Sequence, residues 1–200
     1  MSINTQNILK FFKATGGIAK FSVLRKAGFH HDTINAVVAE DRVKIISRGI
    51  YQLSDHDIGT YPDLVLASLQ SPKGIICLAS ALAFHEATTE IPGYVEIAIP
   101  AQTRANKIKY PPVRFYRFDE NAYNAGIEEH KIGSQKIRVY SLAKTIADCF
   151  KFRSKIGMGI IRNAMKTAIM EKNVNLNELI KHAKICRVDN VIKPVLEAML

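Results

Sequence analysis

Three stretches of the sequence come close to motifs that bind metals or nucleotides. The stretch HEATT at residues 85–89 has threonine where the zinc motif H-E-x-x-H has its second histidine, and that motif needs two histidines one helical turn apart. The stretch GMGIIR at residues 157–162 lacks the third glycine of a dinucleotide-binding loop and follows a predicted helix instead of a strand. His30 and His31 have no cysteine or carboxylate at ligand spacing. We therefore predict no metal site and no cofactor.

Several acidic residues of the chain raise one enzymatic alternative, a metal-dependent nuclease. Such a site needs an acidic residue followed by a Glu-x-Lys strand, which together hold the metal and activate a water. Glu96 lies in a predicted strand, but Ala98 stands where the lysine is needed. We expect Glu86, Glu90 and Asp148 to be solvated or paired with lysine and arginine. The sequence therefore predicts that the chain is not an enzyme and has no catalytic residues.

The charge of the chain favours a polyanionic partner. Its 28 basic and 18 acidic residues give a formal charge of +10 and a pI near 9.6. Residues 1–55 hold eight basic against four acidic side chains, residues 56–130 six against nine, and residues 131–200 fourteen against five. Two basic blocks therefore flank an acidic middle. Charge alone does not distinguish nucleic acid from an anionic membrane surface.

The first basic block needs a scaffold that presents its side chains, and the apolar pattern predicts one. Helices are expected over residues 3–15 and 21–27, the second closing at Gly28, and a third from His31 to Glu40 with Ile34, Val37 and Val38 on its buried face. Residues 43–46 and 50–53, separated by Ser-Arg-Gly, predict a β-hairpin. Three helices followed by a hairpin is the order of a winged helix-turn-helix.

A winged helix-turn-helix places its third helix in the major groove of DNA, with the N-terminal residues of that helix facing the base edges. Asparagine on the polar side of this helix can pair with adenine through two hydrogen bonds, and histidine or threonine can reach bases or phosphates. Basic residues on the hairpin would contact the phosphate backbone or the minor groove. The predicted DNA-contacting residues are Lys26, His31, Thr33, Asn35, Arg42, Lys44 and Arg48.

The polar, turn-rich residues 55–62 mark a predicted domain boundary, with a DNA-binding domain over 1–57 and a larger C-terminal domain over 58–200. Helices are predicted over 63–69 and 80–86, and strands over 94–99, 113–118, 127–131 and 136–139. Ser141 is the expected N-cap of a helix, another helix covers 158–171, and Asn175 with Glu178 resembles a capping box that opens a third. A last helix is expected to end at Leu200. The predicted fold class is α+β, an N-terminal winged helix-turn-helix followed by a mixed domain with strands over 94–139 and helices over 141–200.

The basic residues of the C-terminal domain form the second candidate site. Two alternate with aromatic residues in the strand over 113–118, and others lie on or after the helix that Ser141 opens. We predict that they form a positive surface that binds nucleic acid, such as RNA, or another phosphorylated partner. The predicted surface consists of Arg114, Arg117, Lys144, Lys151, Arg153, Lys155 and Arg162.

An ordered set of short motifs over nearly the whole chain resembles the AbiEi family of antitoxins. The RGIYQL stretch at residues 48–53 is similar to the Arg-Gly-x-Tyr-x-Leu that ends the wing in this family. It is followed in the same order by SALAFH at 80–85, IPG at 91–93 with the strand that ends at Pro100, and VYSLAKTIAD at 139–148. Each motif alone is weak, whereas the ordered set is fairly specific.

The resemblance implies a protein with two functions. The N-terminal domain would bind inverted repeats in its own promoter and repress a bicistronic operon. The C-terminal domain, through its basic surface, would counteract a partner nucleotidyltransferase toxin without forming a stable complex. Such pairs are classed as type IV toxin–antitoxin systems, and some confer abortive infection against phage. The alternatives are a winged-helix transcription factor whose C-terminal domain senses a ligand or dimerises, and, less favoured, a nuclease fused to a winged helix.

The remaining features predict a cytoplasmic protein without a membrane segment. Cys77, Cys149 and Cys186 are far apart and in apolar surroundings, which is typical of buried, reduced thiols. Residues 1–7 lack the regions of a signal peptide, and the longest apolar run, residues 75–84, is far shorter than the roughly 20 residues that cross a bilayer. Since no heptad seam is present, we expect a monomer in solution and two copies on the inverted repeats.

Overall fold

The computed structural model of the chain describes residues 3–199 and has a mixed α+β fold with two sheets, which confirms the predicted class. The chain forms two compact units. The N-terminal unit comprises the chain up to Val65 together with Lys131–Lys136, and the C-terminal unit comprises Leu66–His130 with Ile137–Leu200. The predicted boundary after residue 57 lies before the observed division at Val65. The sequence does not indicate that residues 131–136 belong to the N-terminal unit. No helix among residues 3–199 has the length and apolar character needed to span a membrane.

The N-terminal unit consists of three helices and a small antiparallel sheet. The helices are α1 (Ile3–Ala14), α2 (Phe21–Lys26) and α3 (His31–Ala39), and the strands are β1 (Ile18–Lys20), β2 (Val43–Ser47) and β3 (Ile50–Leu53). The strand order is β1-β3-β2. The predicted helices and hairpin are all present. Strand β1 was not predicted, because three residues are too few to show a periodic pattern.

The core of this unit follows from the apolar spacing. Ile8 and Phe12, four residues apart on α1, are fully buried, and so are Ile34 and Val37 on α3. They form one cluster with Leu24 of α2, so the three helices pack around a common centre. Val38, also predicted for the buried face, is partly buried at the edge of this cluster.

The C-terminal unit is built on a five-stranded sheet of order β6-β5-β4-β8-β7, of which only residues 131–136 belong to the N-terminal unit. The strands are β4 (Ile75–Ile76), β5 (Val95–Pro100), β6 (Val113–Phe118), β7 (Ile127–Ile132) and β8 (Gln135–Tyr140). Strands β5 and β6 are parallel, as are β4 and β8, whereas β4 and β5 are antiparallel. The helices are α4 (Pro62–Gln70), α5 (Leu78–Phe84), α6 (Glu120–Asn124), α7 (Leu142–Lys151), α8 (Arg153–Ile156), α9 (Met158–Met170), α10 (Leu176–Cys186) and α11 (Asp189–Glu197).

Helix α7 is the centre of the C-terminal unit, since every residue from Leu142 to Phe150 is buried. The Ser141 hydroxyl accepts a hydrogen bond from the Lys144 amide, which confirms the predicted N-cap. The Asn175 side chain likewise accepts from the amides of Asn177 and Glu178 at the start of α10. The predicted end of the last helix at Leu200 lies outside the described residues.

The three cysteines are buried and carry free thiols, as predicted. Cys149 lies on α7 and Cys186 at the end of α10, both within the apolar core of the C-terminal unit. Burial raises the pKa of the Cys149 thiol well above its ordinary value, because the apolar surroundings disfavour the thiolate. The thiols therefore act as small apolar side chains in the core.

Candidate nucleic-acid interface

Helix α3 presents a polar side to solvent while its apolar side is fully packed. Ile34 and Val37 have no exposed surface, so the orientation of the helix about its own axis is fixed. Beside this buried stripe, His31 and Asn35 are exposed and Thr33 is partly buried. The three candidate base-contacting residues thus lie in the first half of the helix and are open to a partner.

A hydrogen bond within this surface fixes the side chain of Asn35. Its amide Nδ2 lies 2.9 Å from Nδ1 of His31, one helical turn earlier. In this pair the amide nitrogen of Asn35 donates and Nδ1 of His31 acts as the acceptor. The His31 ring also makes an edge contact with Phe21, at 5.9 Å between ring centroids.

This arrangement leaves free the groups that an adenine would need. One hydrogen of the Asn35 amide is used by His31, while its second hydrogen and its Oδ1 remain available. Those two groups match N7 and the N6 amino group of adenine in the major groove. Phe21 was not among the predicted residues. Its position as the first residue of α2 gives no sign of a role, because the contact with His31 depends on how α2 and α3 pack.

The hairpin of β2 and β3 carries two further predicted contacts, Lys44 and Arg48, and both are exposed. Its turn consists of Arg48 and Gly49, and Gly49 has a φ of +73°, which glycine adopts without strain. The Gly49 carbonyl accepts a hydrogen bond from the Phe21 amide at 2.8 Å. The turn that carries Arg48 is therefore tied to the start of α2.

The two remaining DNA-contact candidates occupy different places. Lys26 is exposed at the end of α2, close in sequence to the turn that leads into α3. Arg42 directly precedes β2, so the length of that strand, roughly 16 Å at 3.3 Å per residue, separates it from the Arg48 turn. Arg42 instead lines a cleft with residues of α1. The structure therefore does not bring Arg42 together with Arg48, although both are exposed.

The predicted basic surface of the C-terminal unit is divided in the structure. Since side chains alternate along a strand, Arg114 and Tyr116 lie on one face of β6 and Arg117 lies on the other. The Arg114 guanidinium stacks over the Tyr94 ring at 3.8 Å, and the Lys155 ammonium lies 5.1 Å from the centre of the Tyr116 ring. Arg114 and Lys155 thus contact neighbouring aromatic rings on one face of β6, whereas Arg117 lies on the other face.

Three other predicted residues of this surface remain exposed or partly exposed. Lys151 is partly buried and lies 3.8 Å from the carboxylate of Asp119. Arg153 is exposed and donates a hydrogen bond to the Phe150 carbonyl at 3.0 Å. Arg162 is exposed on α9. Three residues of the predicted surface lie beside the aromatic side chains of β6 and so remain together, namely Arg114, Lys151 and Lys155.

The prediction that Lys144 belongs to this surface is wrong. Its side chain has no exposed surface, and its Nζ lies 2.6 Å from both carboxylate oxygens of Asp148. The ammonium also lies 4.2 Å from the centre of the Tyr140 ring. The prediction failed because it assumed a helix with one solvated side, whereas α7 is enclosed on all sides by its neighbours.

Three of the acidic residues that suggested a nuclease, Glu96, Glu86 and Asp148, each have a separate structural partner. Glu96 is 2% exposed and accepts hydrogen bonds from the Ala79 amide at 2.6 Å and the Tyr116 hydroxyl at 2.8 Å. Burial raises the pKa of the Glu96 carboxyl, and these hydrogen bonds lower it again in part. Glu86 pairs with Lys172 at 2.9 Å. Glu96 therefore links the start of α5 to β6.

The histidine of the HEATT stretch is also bound within the unit. His85 Nε2 lies 2.8 Å from the Tyr140 carbonyl oxygen, to which it donates. Its ring and the ring of His130 both contact Phe84 edge-on, at centroid distances of 5.4 and 4.7 Å. Among residues 3–199, no group of three or more histidine, cysteine or acidic side chains is placed to hold a metal ion.

No protein-family model and no curated protein matches the sequence. Among solved structures, the chain is similar to the crystal structure of the RV2827C protein from Mycobacterium tuberculosis, with a TM-score of 0.63. The match covers 92% of this chain and 72% of that one, and 12% of the aligned residues are identical. At this identity the similarity shows a shared fold and nothing about function.

Proposed function

We propose that this chain is an autoregulatory antitoxin of the AbiEi type. In this proposal the N-terminal unit is a winged helix-turn-helix that binds inverted repeats in its own promoter. The C-terminal unit counteracts a nucleotidyltransferase toxin. The observation that carries the DNA-binding part is the exposed pair His31 and Asn35 on a helix that is anchored by the fully buried Ile34 and Val37.

The dimensions of this surface suit a duplex. Helix α3 has nine residues and is about 14 Å long, and the major groove is wide enough to admit an α-helix. The hairpin supplies two exposed cations, Lys44 and Arg48, for phosphate contacts beside the groove. The helix N-terminus adds a partial positive charge near His31, which favours an anionic partner. Base reading by α3 and backbone contacts by the hairpin therefore fit one partner.

The antitoxin part of the proposal rests on the ordered sequence motifs and on the basic residues beside β6. Arg114, Lys151 and Lys155 present positive charge next to aromatic rings, an arrangement that suits a phosphorylated partner or RNA. Lys144 is excluded from this surface by its burial.

Binding to DNA is tested with the full chain and a duplex from upstream of its own coding sequence, against a scrambled duplex of the same length and composition. We expect the upstream duplex to bind about a thousandfold more tightly at physiological salt. Equal affinity for the two duplexes would contradict operator recognition. Sedimentation of the complex measures whether two copies bind.

Antitoxin activity is tested by co-expression with the product of a neighbouring open reading frame that carries a nucleotidyltransferase signature, with growth as the readout. We expect rescue by the wild-type chain and loss of rescue when Arg114, Lys151 and Lys155 are replaced together by glutamine. The matched control replaces three exposed lysines elsewhere in the same unit, Lys166, Lys184 and Lys193. Unchanged rescue by the first variant, at equal protein level, would exclude the basic surface. No rescue by the wild-type chain, with DNA binding intact, would favour a plain transcription factor.

A further inference from the structure

A cleft of about 430 Å³ in the N-terminal unit is lined by cations from two separate elements. Lys10 and Lys13 lie three residues apart on α1 and therefore share one side of that helix. Arg42 enters the same cleft from the segment between α3 and β2. All three side chains are exposed. The cleft thus gathers three positive charges that are distant in sequence.

The three cations are not engaged in ion pairs within the part of the chain that the structure describes. The single acidic residue of the cleft wall is Asp55. Three positive charges along one cleft raise its local positive potential, so the cleft is suited to a ligand that carries a phosphate.

The walls of the cleft are held by the backbone. The Arg42 amide donates to the Val37 carbonyl and its carbonyl accepts from the Ser54 amide, both at 3.0 Å. The His56 ring packs against the backbone of Gly17, where an added Cβ would lie only 2.1 Å from it. The cleft is therefore largely formed before any ligand binds, which lowers the entropy cost of binding.

The other lining residues indicate what the rest of the ligand is. Leu9 and Leu53 form an apolar wall, and His56 adds a flat ring. Asp55 can accept hydrogen bonds from hydroxyl or amino groups. The volume lies within the range of small-molecule sites, about 300 to 1,000 Å³. A phosphate, a group that donates hydrogen bonds and a flat apolar body are together the features of a nucleotide.

We propose that this cleft binds a free nucleoside monophosphate, with its phosphate on Lys10, Lys13 and Arg42 and its base against Leu9 and Leu53. The inference does not rest on DNA binding, because the cleft is formed by α1 and the base of the hairpin and does not include His31 or Asn35. It gives the N-terminal unit a small-molecule site that the sequence motifs do not suggest.

The test follows backbone amide signals of the isotope-labelled full chain by NMR during titration with AMP, adenosine or inorganic phosphate. We expect saturable shifts at Gln6, Lys10, Arg42 and His56 with AMP. Adenosine should bind about tenfold more weakly or not at all, because it lacks the charge that the cations recognise. Equal responses to AMP and adenosine, or no saturable shift with AMP, would overturn the proposal.

Variants locate the site. The double variant Lys10→Gln/Arg42→Gln should weaken AMP binding about tenfold or more. The control Lys184→Gln/Lys193→Gln, with the same loss of charge at two exposed positions of the other unit, should bind AMP as the wild type does. If both variants lose affinity equally, the binding is only an effect of net charge and the proposal fails. If AMP does not bind but the first variant weakens binding to duplex DNA, the cations contact backbone phosphates and the small-molecule site is refuted.

Discussion

Lys144 and Asp148 form an ion pair that is completely shielded from solvent. The ammonium lies 2.6 Å from both carboxylate oxygens, and neither side chain has any exposed surface. The Cys186 thiol donates a further hydrogen bond to Asp148 at 3.1 Å, and the Tyr140 ring faces the ammonium. Burial raises the pKa of Asp148, while the positive charge of Lys144 opposes that shift. Each charge is therefore tolerated in the core because of the other.

The first prediction concerns this pair. Lys144→Met leaves a buried carboxylate without its partner and should lower the free energy of unfolding by about 3 to 5 kcal/mol, whereas the double variant Lys144→Met/Asp148→Leu should recover most of that loss. Urea denaturation of the single and double variants measures the coupling. Lys151→Met, which breaks the more exposed pair with Asp119, is the matched control and should cost at most about 1 kcal/mol. A Lys144→Met variant as stable as this control would contradict the structural role.

The same pair shows where sequence reasoning fails. A lysine in a helix is normally assigned to the solvated side, and the pattern of α7 offers such a side. Its burial results from packing against α5, α9 and α10, which are distant in sequence. The spacing of four residues between Lys144 and Asp148 is the one local sign of a pair, and it is equally typical of exposed helices.

Elements with a local pattern were predicted well. The spacing of Ile34 and Val37 predicted a helix that ends at Glu40, and the observed α3 ends one residue earlier. Strand β6 has the predicted bounds of Val113–Phe118. Strand β4 was missed because Ile75 and Ile76 lie in an apolar run and become a strand only by pairing with β5 and β8. The division of the basic surface was missed because it depends on which face of β6 the other helices cover.

The second prediction concerns base reading by Asn35. Asn35→Ala should weaken binding to the upstream duplex by about 1 to 3 kcal/mol and leave binding to scrambled DNA nearly unchanged, since a base contact adds specificity rather than general affinity. Competition assays with each base substituted in the operator should then show relaxed preference at one position. Asn163→Ala, at an exposed helical asparagine of α9, should have no effect. Equal weakening on all sequences would contradict a base-reading role.

The third prediction concerns the acceptor that orients this amide. His31→Ala removes the hydrogen bond to Asn35 and should reduce the preference for adenine at the same position that Asn35→Ala identifies. His31→Gln retains an acceptor oxygen and should restore part of that preference. Affinity ratios for duplexes that differ only at this base pair provide the measurement. If His31→Ala keeps the full ratio, the hydrogen bond does not orient Asn35 on DNA.

The fourth prediction concerns the phosphate contacts of the hairpin. Lys44→Gln and Arg48→Gln should each weaken binding to all duplexes and lower the slope of log affinity against log salt concentration by about one, because each contact releases counterions from the DNA. Titrations between about 50 and 200 mM salt measure the slope. Lys193→Gln, at an exposed cation of the other unit, serves as the control and should leave the slope unchanged. A wild-type slope in both hairpin variants would exclude these residues from the interface.

The last prediction concerns acid sensitivity of the C-terminal unit. Burial lowers the pKa of His85, and the hydrogen bond to Tyr140 offsets this only in part. The unfolded chain, in which the pKa of this histidine is near 6.5, therefore binds more protons than the folded chain below that pH. His85 is thus expected to make the free energy of unfolding decrease as the pH falls below about 6.5. Urea denaturation at about pH 7.5 and about pH 5.5 should show a smaller decrease in His85→Gln than in the wild type, and an unchanged decrease in the exposed-site control His30→Gln. If His85→Gln loses as much stability on acidification as the wild type does, the lowered pKa of His85 is not the source.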